Sequence, residues 1–336
     1  MKKKCLITGV TGMVGSHLAD YLIKNTNWMI YGMCRWRSPL DNVKHLFNDV
    51  NEGKRIFFDY GDLLDQNSLD ILLKKIKPNY IFHLAAQSFP QTSFTHSALT
   101  YDTNIKGTSN LLESIKKLNL NPVIHVCSSS EIFGRVPKKN LPISEDCAFH
   151  PASPYAISKV GTDLIGRYYN EAFGLKTLIT RMFTHTGPRR GDVFAESSFA
   201  KQIALIEKKL IRPVIEVGNL NSLRTIADVR DAVEAYYLLV TKSDKYGETY
   251  NIGGDYFCKV SEILNFLISK STYQDNIKIK VDKKRLRPID ADLQVPNSRK
   301  FKRKFKWKPK YKFEDTMIDL LNYWRNKIDD DGYLKR

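Results

Sequence analysis

The glycine turn near the start of the chain constrains its fold more than any other feature. Lys3 to Thr8 is a short apolar run that passes directly into Gly9-Val10-Thr11-Gly12-Met13-Val14-Gly15, and a helical pattern, Ser16 to Ile23, follows at once. Strand, glycine turn and helix N-terminus in that order form a cradle for a pyrophosphate. Glycine lets the backbone approach the anion, and the helix dipole favours its charge. The spacing TGxxGxxG assigns Gly9, Thr11, Gly12, Met13, Val14 and Gly15 to a dinucleotide cofactor.

The chain then alternates strands and helices. Trp28 to Cys34 reads as a second strand ending in Arg35-Trp36-Arg37-Ser38. An acidic residue at this point would hold the adenosine ribose hydroxyls, whereas an arginine accommodates a 2′-phosphate. With Arg35 here and no Asp or Glu, NADP is favoured and NAD is the alternative. Ile56-Phe57-Phe58 leads to Asp62 and Leu63, placed at the adenine. Tyr80 to Ala86 reads as another strand, whose last residues, Leu84, Ala85 and Ala86, are small enough for the backbone to crowd a cofactor. His83 reads as a satisfied strand histidine. Thr103-Asn104 and Gly107-Thr108 open an amphipathic helix to Lys117. This alternation predicts an α/β fold, a Rossmann-type doubly wound parallel sheet.

The chemistry concentrates between Val126 and Lys159. Strand alternation would put Ser129 and Glu131 on one face. Tyr155 and Lys159, four apart, share one face of a helix. A strand end and a helix joined by a Pro-rich loop would therefore present hydroxyl, carboxylate, phenol and ammonium to one cleft. Ser129, Glu131, Tyr155 and Lys159 are the candidate catalytic residues, and Tyr155 and Lys159 would also touch the cofactor.

Lys176 to Phe183 is a further strand, leading into Thr184-His185-Thr186-Gly187-Pro188-Arg189-Arg190-Gly191. Such a loop at a strand's carboxyl end is a natural ligand site. Beyond it the pattern predicts a helix over 197–208, a strand over 214–217, the segment 223–229, a helix over 230–241 and a last amphipathic helix over 313–327. Arg224 and Arg287 are expected to grip a diphosphate, because guanidinium forks match phosphate oxygens. There are no repeats and no low-complexity linker. Residues 1–183 are expected to bind mainly the dinucleotide, with 184–336 forming a smaller, interleaved C-terminal lobe for the substrate.

Composition excludes several classes. No window approaches the ~18–20 apolar residues of a membrane span, and the apolar run after Met1-Lys2-Lys3-Lys4 ends too early for a signal peptide. The expectation is a cytoplasmic protein with no membrane partner. Five scattered cysteines without CxxC spacing indicate neither a disulfide framework nor a zinc site, and no metal is expected. The net charge of +17 includes a dense run from Lys300 to Lys310, read as solvated surface; no nucleic-acid module accompanies it, and no nucleic-acid partner is expected.

These motifs resemble the extended short-chain dehydrogenase/reductase family over nearly the whole chain: TGxxGxxG at 8–15, Asp62-Leu63, His-Leu-Ala-Ala at 83–86 and Tyr155-x-x-x-Lys159. Within it the chain is similar to GDP-mannose 4,6-dehydratase and related GDP-sugar enzymes. Ala-Ala-Gln-Ser at 85–88, Ser-Ser-Ser-Glu-Ile-Phe-Gly at 128–134, Gly-Pro-Arg-Arg-Gly at 187–191, Arg287-Pro288-Ile289-Asp290 and Phe-Lys-Trp-Lys-Pro-Lys at 305–310 carry that likeness. The resemblance implies substrate contacts from Gln87, Ser88, Ser130, Thr184, Arg190, Arg224 and Arg287, and a homodimer or homotetramer. The chain departs from the family pattern at Arg35-Trp36 (Arg-Arg in the family), Thr184 (Asn), Ser129 (Thr) and near Ser198 (Lys), so the sugar need not be mannose.

The activity implied is a GDP-sugar 4,6-dehydratase. Oxidising C4 makes the C5 proton acidic. Tyr155 takes the C4 hydroxyl proton while hydride passes to NADP or NAD. Lys159 lowers the phenol's pKa and holds the nicotinamide ribose. Glu131 removes the C5 proton and helps expel the C6 hydroxyl, Ser129 steadies the C4 oxygen, and hydride returns to C6. The cofactor is expected to stay tightly bound and be recycled. A GDP-sugar C4 dehydrogenase or epimerase is the alternative, and Glu131 argues against it. A non-catalytic dinucleotide sensor is the reading from another class.

Overall fold

The computed structural model describes residues 2–289 and 291–331; Asp290 of the Arg-Pro-Ile-Asp motif lies outside them. A seven-stranded parallel sheet runs through the molecule. Its strands are β1 (Lys4–Thr8), β2 (Met29–Cys34), β3 (Ile56–Tyr60), β4 (Tyr80–His83), β5 (Val123–Cys127), β6 (Lys176–Met182) and β10 (Thr249–Ile252), in the order β10-β6-β5-β4-β1-β2-β3. The order reverses at β1, which pairs in parallel with both β2 and β4. The crevice beyond the carboxyl ends of β1 and β4 is where such a sheet binds ligands.

Both faces of the sheet are covered, and the period of two in the sequence decides which side chain goes where. Cys5, Ile7, Phe82 and Leu178 point into one core, with α1 (Met13–Asn25) and α6 (Val229–Lys242) packed on it. Leu6, Ile81 and Ile179 point into the other, beneath α2 (Gln66–Ile76), α3 (Gly107–Lys117) and α4 (Pro154–Phe173). The first core also takes Tyr250 from β10 and Phe301, Phe305 and Trp307 from beyond it. The second half of the chain thus completes the first half's sheet.

A third core belongs to the second half alone. Phe199, Ile203 and Ile206 of α5 (Ala195–Glu207) meet Ile263, Leu264 and Leu267 of α7 (Val260–Ser269) and Met317, Leu320 and Trp324 of α9 (Phe313–Asp331). Small strands lie beside it. β9 (Leu223–Asp228) is flanked by β11 (Tyr256–Lys259) and β13 (Leu293–Gln294), and it also pairs with the two-residue β7 (His185–Thr186). β8 (Val214–Val217) pairs with β12 (Lys278–Val281).

The basic run is largely accounted for by local pairing. α8 (Arg299–Phe305) buries Phe301 and Phe305 while its lysines face acids: Lys300 meets Glu248, Lys302 meets Asp255 and Lys304 meets Asp244. Lys310 pairs with Glu234, and Trp307 donates its indole N–H to the Asp231 carbonyl. No helix among the described residues is long and apolar enough to cross a membrane. All five cysteines are thiols without disulfide partners.

One strand is shorter than its pattern. The run predicted over 80–86 leaves the sheet after His83. β1 ends at Thr8, and the Thr8 hydroxyl oxygen accepts hydrogen bonds from the backbone N–H groups of Leu84 and Ala85, both at 3.1 Å. A side chain replaces the missing strand partner, and the apolar Leu-Ala-Ala run becomes a loop.

Candidate active site

The turn after β1 fits a dinucleotide's pyrophosphate, and its three glycines have different reasons. Gly9 has φ +73°, and a Cβ there would lie 2.8 Å from the Ala85 Cα. A Cβ on Gly15 would lie 2.3 Å from the Gly9 carbonyl oxygen, inside contact distance. These two glycines are required by the chain's own packing. Gly12 is exposed, and a Cβ there would meet only the Gly9 carbonyl, at 3.4 Å. Gly12 is the N-cap of α1, with no capping side chain and no acid in the first turn. The first N–H groups of α1 are thus left to an anion, and Thr11, Met13 and Val14 frame that terminus. Ala85 adjoins it through the contact with Gly9, and Ala86 follows it in the chain.

Arg35 and Trp36 are exposed beyond β2, with Trp36 packed at 4.6 Å on Tyr60. Asp62 caps its own turn by accepting from the Leu64 N–H at 3.0 Å, and buried Leu63 packs under Gly107. Both stand at the same edge of the sheet as the glycine turn.

β5 delivers the catalytic cluster, though not by alternation. The strand ends at Cys127; Ser129 is extended (φ −154°, ψ 153°) and caps a 3₁₀ turn, Ser130–Phe133, its hydroxyl accepting from the Glu131 N–H at 3.2 Å. Glu131 therefore sits on a turn, and the cap rather than the pleat holds it beside Ser129. Gly134 closes this turn with φ +53°, where a Cβ would collide with the His150 carbonyl at 1.6 Å. The Pro-rich loop folds back through that contact, and His150 donates its N–H to the Ile132 carbonyl. Ser130 is buried inside the turn.

The helix α4 then begins with Ser153, whose hydroxyl accepts from the Ala156 N–H at 3.0 Å, and Pro154 in its first turn. Ser93 accepts from the Tyr155 N–H at 3.1 Å. Further along, Asp163 accepts two hydrogen bonds from Arg181 of β6, at 2.8 and 3.1 Å, locking the helix to the sheet. The register of Tyr155 and Lys159 against β5 is thereby set from both ends.

Burial pushes the Tyr155 hydroxyl's pKa up; Ser129 and the Arg190 guanidinium act the other way, and Glu131 adds to the rise. Tyr155, Ser129, Glu131 and Arg190 are therefore neighbours. Lys159 is buried, which lowers its pKa, and its ammonium donates to the Cys127 carbonyl at 2.7 Å. It lies 6.0 Å from the Tyr155 ring centre. Within the chain, Arg190 and Ser129 favour the phenolate, and Lys159 is held against β5.

The other residues expected at the substrate divide. Arg190 is half-buried, stacked 3.3 Å over the Phe194 ring and 3.3 Å from Glu196. Arg287 reaches Glu131, Nη1 to Oε2, at 3.6 Å. Ser88 is exposed, and Thr184 is half-buried with its carbonyl accepting from the Ala227 N–H. Arg224 donates to the carbonyls of Leu223 and Ala291, bracing β9. Gln87 shapes the loop after β4: its amide nitrogen donates to the Phe89 carbonyl and the Thr100 hydroxyl, and its oxygen accepts from the Phe89 N–H.

Asn104 carries a role that the sequence did not disclose. It lies on a π-helical turn, Asp102–Lys106, and its amide donates to the Gln87 carbonyl at 2.9 Å and the Ser158 hydroxyl at 2.8 Å while accepting from the Gln87 N–H. It thus ties the loop after β4 to the helix of Tyr155 and Lys159. His83 is a satisfied buried histidine, bridging the hydroxyls of Thr8 and Thr108 at 3.0 Å each, and burial lowers its pKa to about 3. Among the described residues no group of three His, Cys, Asp or Glu side chains could hold a metal.

Comparison with known proteins agrees with this geometry. The sequence profile of the family described as GDP-mannose 4,6 dehydratase matches residues 6–320. The chain is 29% identical to a Drosophila melanogaster GDP-mannose 4,6 dehydratase, over 95% of this chain and 85% of that protein. It is 28% identical to the GDP-6-deoxy-D-mannose reductase of Pseudomonas aeruginosa, over 98% and 99%. Among solved structures, RMD from Pseudomonas aeruginosa complexed with NADPH superposes with a TM-score of 0.81 at 27% identity, covering 97% of this chain and 100% of that one.

Proposed function

The chain belongs to the GDP-mannose 4,6-dehydratase family, and from that premise we propose that it is a GDP-sugar 4,6-dehydratase dependent on NADP or, alternatively, NAD. The observation that carries the reading is the carboxylate of Glu131, held by its turn beside Ser129 and near the Tyr155 hydroxyl. An enzyme that only reduces or epimerises at C4 has no use for a base there.

Gly9, Thr11, Gly12, Met13, Val14 and Gly15 would hold the pyrophosphate, with Arg35, Asp62 and Leu63 at the adenosine end and Leu84, Ala85 and Ala86 along the crevice. The bound dinucleotide supplies hydride acceptance from C4 and its return to C6. Tyr155 takes the C4 hydroxyl proton, and its phenolate is favoured by Ser129 and the Arg190 guanidinium. Ser129 donates to the C4 oxygen as charge develops. Glu131 removes the proton from C5, which the adjacent ketone has made acidic, and the C6 hydroxyl departs as water. The 4-keto-5,6-ene that remains becomes the 4-keto-6-deoxy sugar once C6 has received a hydride and C5 a proton. Lys159 holds the helix against β5 and would also hold the nicotinamide ribose. Arg224 and Arg287 would meet the diphosphate, and Ser88, Ser130 and Thr184 the sugar side.

Turnover of GDP-mannose in deuterated water tests the base. The reading requires one solvent deuteron in the product, introduced as the hydride returns to C6 and C5 is reprotonated. A deoxygenated product without solvent deuterium at C5 would refute Glu131 as the group that exchanges it.

We further propose a homodimer or homotetramer. The support is an apolar strip on the outer face of α4, where Ile157, Leu164 and Tyr168 are 46%, 47% and 55% exposed, with Leu99 at 51% nearby. Large apolar residues repeating along one helix face suit a partner helix. We place the protein in the cytoplasm, consistent with five unpaired thiols, and read 1–183 as mainly the dinucleotide-binding part and 184–336 as mainly the sugar-nucleotide-binding part.

A further inference from the structure

Arg287 and Glu131 lie far apart in the chain, yet their charges meet at 3.6 Å, both side chains largely shielded from water. The segment that carries Arg287 is a strap between the two halves of the molecule. Asp282 caps its turn by accepting from the Lys284 N–H at 3.0 Å. Gln91, in the short helical turn Pro90–Ser93 after β4, donates to the Lys284 carbonyl at 3.3 Å. Arg285 donates to the Ser198 hydroxyl at 3.3 Å, and Gly218 leaves space for the Arg285 carbonyl, which a Cβ would approach to 2.7 Å. The strap is therefore pinned two residues before Arg287, and the guanidinium reaches the carboxylate from a fixed root.

A separation of 3.6 Å is ion-pair contact without a normal hydrogen bond. Such a pair is readily exchanged for a partner with more charge and better geometry, and a diphosphate offers both. We propose that Arg287 is a positioning residue for Glu131: it pairs with the carboxylate before nucleotide binds and transfers to the diphosphate when it arrives. Glu131 is thereby available as a base only when the nucleotide is seated. The inference rests on the reading above for the role of Glu131 and for a diphosphate ligand. It goes beyond that reading by making base and phosphate sites compete for one cation.

The test is a double-mutant cycle on the affinity for GDP, which lacks the hexose that Glu131 would touch. Titration calorimetry is run on the parent chain, Glu131→Gln, Arg287→Gln and the double variant, with circular dichroism confirming that each is folded. The latch predicts that Glu131→Gln tightens GDP binding about tenfold when Arg287 is present and less than twofold when it is absent. Direct repulsion between Glu131 and the phosphates would survive in the Arg287→Gln background. Equal effects in both backgrounds, or no effect in either, overturn the latch. If Arg287→Gln binds too weakly at physiological salt, all four chains are compared at low salt, where contacts to the phosphates strengthen. Failure of the GDP reading has its own signature, no binding of GDP by the parent chain while UDP binds; the same cycle with UDP then decides the latch.

Discussion

The ammonium of Lys159 donates to the carbonyl of Cys127 at 2.7 Å, joining the catalytic helix to the end of β5 directly beneath the turn that carries Glu131. The lysine and the tyrosine one turn before it are therefore parts of one rigid unit of strand end, turn and helix. Lys159→Met keeps the volume and removes the charge and this bond. Turnover should fall by roughly 10²–10⁴, while the thermal midpoint stays within several degrees of the parent, because a desolvated cation is also removed. A variant with near-parental turnover would remove Lys159 from the mechanism.

Glu131→Gln separates oxidation from elimination. The amide retains the shape of the turn, since the Ser129 cap engages the backbone N–H of residue 131 rather than its side chain. Overall turnover should drop by about 10²–10⁴, and near-ultraviolet absorbance should reveal reduced cofactor building up with the 4-keto sugar. Elimination at the parental rate would mean another group acts as the base.

The glycine turn makes opposite predictions for two neighbouring positions. Gly12→Ala should cost less than about 1 kcal/mol of stability, because its Cβ meets only the Gly9 carbonyl at 3.4 Å. NADPH affinity should nevertheless fall tenfold or more. Gly15→Ala forces a Cβ to 2.3 Å from that same carbonyl and should cost on the order of 3 kcal/mol. Thermal melts and cofactor titrations of both variants check the pair; equal stability losses would refute the assignment of Gly12 to the ligand.

Stability should fall steeply on mild acidification. Burial lowers the pKa of His17 and His185 to about 4 and of His83 and His125 to about 3. Each is neutral in the fold and binds a proton first in the unfolded chain. The stability present above the unfolded value of about 6.5 is lost as pH falls through that value toward the folded pKa. Near pH 5 the slope approaches ~5 kcal/mol per pH unit if all four contribute fully. Urea unfolding at pH 7, 6 and 5 measures it, and a flat profile would contradict the buried, neutral state of these rings.

The sheet and its cofactor turn were legible because both are written locally, as period-two apolar runs and fixed glycine spacing. Tyr155 and Lys159 were legible as a helical i, i+4 pair. What escaped depends on partners far away in sequence. β4 stops at His83 because Thr8 takes the next two N–H groups. Asn104 matters through Ser158, 54 residues away. Ser129 and Glu131 do meet, but through a side-chain cap that competes with the strand, a choice that Ser is chemically suited to make. The environment of Tyr155 was also hidden, since Arg190 approaches it from beyond the next strand.

The most direct test of the central claim is mass spectrometry of the purified protein incubated with a panel of GDP-sugars and no added oxidant. One member, GDP-mannose or a related GDP-heptose or GDP-N-acetylhexosamine, should lose the mass of one water with no net change in cofactor. Loss of two hydrogens with reduced cofactor left behind, or an isomer of unchanged mass, would contradict it and assign the chain to C4 dehydrogenation or epimerisation instead.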